Sequence, residues 1–112
     1  MSAETFYIGY LSDALDVPVS GDVPSPRPQR FVTVEQTGSR QSNLVYSATL
    51  AVQSWAESRE AAAELNERVK AAMIASKASP HVLSCSLSTD YNYPELDTRS
   101  PRYQAIFNVI VC

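Results

Sequence analysis

Two periodicities divide the chain. Residues 3–15 carry Ala3, Phe6, Tyr10, Leu11 and Ala14 at helical spacing, which predicts an amphipathic helix. Ser2 stands where a cap belongs, Glu4 and Thr5 fall in the first turn, and Pro18 closes the helix. Gly9 weakens that helix by roughly 1 kcal/mol. Residues 17–22 fit a short strand. A lead-in follows, Val23-Pro24-Ser25-Pro26-Arg27-Pro28-Gln29. Proline fixes φ and lacks an amide proton, so this stretch is neither helix nor central strand and runs extended along the surface.

Alternation takes over at residues 30–36, with Phe31, Thr33 and Glu35 on one face and Arg30, Val32 and Val34 on the other. Residues 37–43 are rich in Gly, Ser, Gln and Asn and predict a turn or mobile loop, with Gly38 as its turn glycine. Residues 44–55 alternate again, Leu44, Tyr46, Ala48, Leu50 and Val52 against Val45, Thr49, Ala51 and Trp55, so the two runs form a hairpin with a long tip. Residues 57–76 return to helical spacing. Ala61, Ala62, Leu65, Val69, Ala72, Met73 and Ser76 make the buried stripe, and Glu57, Glu60, Glu64, Glu67 and Lys70 face water. Ser58 is the expected cap, with Ser54 and Glu57 as a competing capping box, and Pro80 ends the helix.

Residues 82–91 set Leu83, Cys85, Leu87, Thr89 and Tyr91 against serines 84, 86 and 88, a half-exposed strand. A polar loop occupies 92–101. The last strand, 102–112, places Tyr103, Ala105, Phe107, Val109 and Val111 on one face and Ile106 and Ile110 on the other, as a central or interface-lining strand does. The order is α-β-β-α-β-β. It predicts an α+β fold with one antiparallel or mixed sheet of about four strands, two helices on one face, and an extra short strand after the first helix. The 112 residues suit a single domain.

Apolar content of 45% and charged content of 19% mark a globular chain, and the longest apolar runs are too short to span a bilayer. Glu4, Asp13 and Asp16 leave no basic start or apolar block for a signal peptide, so the expected compartment is a cytoplasm or an assembly built there. A net charge of −3 argues against broad or sequence-specific nucleic-acid binding, although Arg27, Arg30, Arg99 and Arg102 all lie near prolines and allow a local basic patch. Cys85 and Cys112 read as reduced thiols, with a disulfide between neighbouring strands as the alternative.

The residues name no reaction. His81 is the single histidine and has no orienting partner in sequence reach. There is no paired-cysteine zinc motif and no glycine-rich phosphate loop, so neither metal nor cofactor is expected. Asp90, Glu95 and Asp97 lack the glycine and spacing of an EF-hand and read as a solvated loop. Six tyrosines and the clustered arginines point instead to a protein–protein surface, because both residue types join large contact area to a polar tip.

Three stretches then carry a resemblance: Pro26-Arg27-Pro28 leading into Phe31-Val32; Trp55-Ala56 followed by the capped helix to Met73; and Pro94, Asp97 and Pro101-Arg102-Tyr103 before the final strand. In order and spacing, from Val19 onward, they resemble the tail terminator (tail completion) proteins of long-tailed phages and prophages of actinobacteria. The resemblance implies a structural virion protein and not an enzyme. Its subunits form a ring, typically a hexamer, on the end of the tail tube. The ring stops tube growth and offers a docking surface to the head connector, at the neck-proximal end of the tail, after assembly in the bacterial host cytoplasm. The expected partners are further copies of the chain, the tube protein and the connector, with no membrane and no cofactor. Free strand edges and arginine–carboxylate pairs are natural ring joints, so the candidate interface residues are Arg27, Arg30, Tyr93, Arg99, Arg102 and Tyr103. Two rivals stand beside this reading. One is a head-closure or adaptor neck protein. The other is a cytoplasmic α+β dimer binding a small ligand on its sheet face, with Phe107, Tyr103 and Tyr46 at the floor.

Overall fold

The computed structural model describes residues 2–42 and 44–112. Asn43, the end of the expected 37–43 loop, lies outside the described residues. The elements are α1 (Ala3–Ala14), β1 (Val19–Ser20), β2 (Phe31–Ser42), β3 (Val45–Trp55), α2 (Arg59–Ala75), β4 (Val82–Asn92) and β5 (Arg102–Val111). They form an α+β fold with one mixed sheet in the order β1-β2-β3-β5-β4. The sheet has five strands where about four were expected. The fifth is the short strand after α1, which runs parallel to β2 through Val19 opposite Val32 and Ser20 opposite Thr33. All other pairings are antiparallel.

Both helices start on serine caps. Ser2 Oγ accepts the Thr5 amide at 3.1 Å, and Ser58 Oγ accepts the Ala61 amide at 3.1 Å, each satisfying an amide that the first turn leaves open. The competing Ser54–Glu57 box does not form, because Ser54 is buried within β3. The inner residues of α1 are Ala3, Tyr7 and Leu11, four apart, and Ala14, expected on that face, is exposed. Tyr7 enters the core because its hydroxyl meets Ser76 Oγ at 2.8 Å, at the end of α2. On α2 the buried stripe is as expected except that Ala72 is only half-buried and Asn66 joins it.

Tyr7 and Leu11 of α1 and Leu65, Val69 and Met73 of α2 share one buried cluster with alternate strand residues. These are Val32 and Val34, Leu50 and Val52, Cys85, and Ala105, Phe107 and Val109. The pleat therefore sends one parity of β2, β3 and β5 into a common core. Two expectations about strands change. Residues 37–42 are not a loop: β2 runs on to Ser42, paired residue by residue with β3, after a bulge between Gln36 and Gly38. On β4, bulges between Val82 and Ser84 and between Leu87 and Thr89 break the simple alternation. Val82 and Cys85 are buried, while Leu83 and Leu87 stand 58% and 38% exposed.

Candidate functional site

The face that carries Phe31, Thr33, Gln53, Trp55, Arg102 and Gln104 is opposite the core parity, yet at one end it is well covered. Phe31 and Trp55 lie opposite each other across β2 and β3, and their rings stack with centroids 5.2 Å apart and planes 13° from parallel. Both are almost fully buried. Arg102, opposite Trp55 on β5, places its guanidinium 4.7 Å from the indole centroid and 4.4 Å from the Tyr93 ring. Its Nε donates to the Tyr93 carbonyl at 2.7 Å, which fixes the plane. Arg27 reaches over from the proline lead-in and lies 5.3 Å from the Trp55 centroid. It also donates to Ser100 Oγ at 3.0 Å and pairs with Glu95 at 3.4 Å. Glu95 accepts in addition from Thr98 Oγ1, and these donors hold its carboxyl below the usual glutamate range. Guanidinium over indole is the favoured cation–π pairing, worth about 0.5–1 kcal/mol at exposed sites and more where water is excluded.

Beside this row lies a second, polar one. Ser20, Thr33, Gln53, Gln104 and Tyr91 stand side by side across all five strands. From Thr33 to Tyr91 their side chains form a chain of hydrogen bonds. Trp55 Nε1 donates to Thr33 Oγ1 at 3.1 Å, and Thr33 Oγ1 donates to Gln53 Oε1 at 2.7 Å. Gln53 Nε2 then donates to Gln104 Oε1 at 2.7 Å, and Gln104 Nε2 to the Tyr91 hydroxyl at 2.6 Å. The indole nitrogen can only donate, and the bonds that follow run in the same direction, toward Tyr91. The Tyr91 oxygen ends the chain as an acceptor.

The structure thus brings Arg27, Arg102 and Tyr93 together around Trp55 and places the other three candidates elsewhere. Arg30 turns away to hold Glu57 by two hydrogen bonds, at 2.9 and 2.7 Å, and this pairing brings the Glu57 carboxyl down to about 2. Arg99 is exposed on the loop, with a left-handed backbone φ of 55°. Tyr103 has the opposite parity to Arg102 and packs against Ala56, Ala61 and Ala62 at the start of α2. Trp55, Gln53 and Gln104, which organise the corner, were not among the candidates. The signal that could have found them is the single tryptophan at a strand end whose register neighbours are polar.

Of the ligand-pocket residues, Phe107 is fully buried in the core and does not line an open floor. Asp90 accepts from Asn66 Nδ2 at 2.8 Å and Lys70 Nζ at 2.9 Å, on the core side and apart from Glu95. The Lys70 ammonium foremost holds the Asp90 carboxyl low. Among the described residues no group of three His, Cys, Asp or Glu side chains could hold a metal ion. Cys85 is buried and Cys112 exposed, both as free thiols. Among the described residues no helix is long and apolar enough to cross a membrane.

The fold and this corner together define an α+β domain with a rigid arginine–aromatic patch of the composition that protein interfaces favour. No protein-family model matches the chain, and no curated protein matches its sequence.

Proposed function

We propose that this chain is a tail terminator: a structural, non-enzymatic subunit that assembles as a ring, a hexamer by resemblance, on the end of a phage tail tube and presents a docking surface to the head connector. One observation carries the reading. The three stretches on which the resemblance rests are far apart in sequence, yet Arg27, Trp55 and Arg102 converge on one corner. Stretches that meet in space at a cation–aromatic patch favour one common surface task over three separate packing roles.

In this reading both helices cover one face of the sheet and the corner lies on the other. Arg102 is the register-setting contact. The contacts with the Trp55 and Tyr93 rings and the bond to the Tyr93 carbonyl hold its guanidinium ready for a carboxylate of the next subunit, which reduces the side-chain ordering cost of association. The test is to mix the purified protein with preassembled tail tubes and with filled heads, and to examine both by electron microscopy. Rings on tube ends are expected, and Arg102→Glu is expected to abolish them while the circular dichroism spectrum stays that of a folded protein and the melt falls only by the contacts with Trp55 and Tyr93 that it loses. Binding to filled heads alone would shift the reading to the head-closure rival. A protein that ignores both, or a charge-reversed variant that caps tubes normally, overturns the proposal.

A further inference from the structure

The outer strand β4 has an unpaired edge, and its sequence there is palindromic: Leu83-Ser84-Cys85-Ser86-Leu87. Edge strands are normally guarded by charge or proline. From Val82 to Thr89 this edge has neither, and it carries two leucines that stand 58% and 38% exposed. Ile74 adds a third exposed apolar side chain, 46% exposed, on the same flank; it lies one helical turn beyond Lys70, which contacts Asp90 of β4.

We propose that β4 pairs antiparallel with β4 of a second copy, about a two-fold axis at Cys85, joining two sheets into one. Only an isologous contact places each residue against its mirror position, and a palindrome makes those positions alike. Cys85 then faces Cys85 of the second copy, Ser84 faces Ser86, and Leu83 faces Leu87. Extending the same register brings Thr89 opposite His81 and Asp90 opposite Pro80, so no like charges meet. Cys85 points into its own core and takes no covalent part. The bulges at Leu83 and Ser88 keep the regular edge short, which makes this a weak, concentration-dependent pair. It goes beyond the ring reading: it describes the free protein, and it covers an edge that would otherwise template aggregation.

The experiment is sedimentation equilibrium up to the highest attainable concentration, with Leu87→Lys as the disrupting variant. Disulfide trapping is run in parallel in a Cys112→Ser background. A concentration-dependent dimer is expected for the wild type, and Leu87→Lys is expected to be monomeric with an unchanged circular dichroism spectrum. Oxidising a mixture of the Ser84→Cys and Ser86→Cys variants should give the mixed dimer several-fold in excess of either homodimer. A wild-type protein that stays monomeric, a larger oligomer indifferent to Leu87→Lys, or trapping without the 84–86 preference overturns the joint. None of these results depends on tail tubes, so failure here is distinct from failure of the ring.

Discussion

A single donor organises one face of the sheet. Trp55 donates to Thr33, Thr33 to Gln53 and Gln53 to Gln104, so the bonds all run one way. Chains of this kind polarise one another, so their links act as a unit. Trp55→Phe keeps the stack on Phe31 but removes the donor and weakens the platform under Arg102. A loss of about 1–2 kcal/mol is expected. Thr33→Val leaves the indole N–H and the Gln53 carbonyl without their partner in a buried setting, at a cost of roughly 1–3 kcal/mol. Urea denaturation of the two single variants and the double variant checks this. The double should lose clearly less than the two singles added together, because both break the same link. Strict additivity would mean that the bonds act independently.

Among the elements, the strands that were misread show what a sequence pattern omits. Residues 37–42 have turn composition, and Gly38 reads as the turn. What decides their state is the partner: every residue from Gly38 to Ser42 has a counterpart on β3, and pairing overrides local preference. Gly38 follows the bulge, its φ is not positive, and a Cβ built there meets nothing within 4 Å. The glycine is therefore not required. Gly38→Thr is expected to hold or raise stability, by up to about 1 kcal/mol, since it removes backbone freedom from the unfolded chain and adds a residue that favours strands. A drop in melting temperature would show that the bend at the bulge needs glycine after all. The helices were legible because capping serines and a 3.6-residue stripe are local signals. The bulges of β4 were not, because they exist only relative to β5.

At the scale of the molecule, the corner was half legible. Arginine and tyrosine marked a surface, but which of them meet depends on strand parity and on the path of the lead-in: Arg102 and Tyr103 are adjacent in sequence and point to opposite faces. The core carries a consequence of its own. Burial pushes the Cys85 thiol above its ordinary 9.0, and it pushes the Tyr7 hydroxyl well above 10.0, with the bond to Ser76 only partly offsetting it. Both groups are acids whose folded value is raised, so the unfolded chain loses their protons first. Their contribution is intact below the unfolded values and is lost as pH rises above them, by up to about 1.4 kcal/mol per pH unit for each group. Asp90 has the opposite sign. Its folded value lies below 3.8, so its contribution is present at neutral pH and is lost as the solution is acidified through the folded value. Stability measured by urea denaturation should therefore be level near neutrality, then fall from about pH 9 and more steeply from about pH 10, where tyrosine joins. Cys85→Ala should lessen the first part of that fall and Tyr7→Phe the second, which Tyr10 and Lys70, raised in the same direction, share, although each variant starts from a lower plateau. A Cys85→Ala protein with an unaltered alkaline slope would show that the thiol ionises as readily when folded as when unfolded, and hence that the core beneath α1 and α2 admits water.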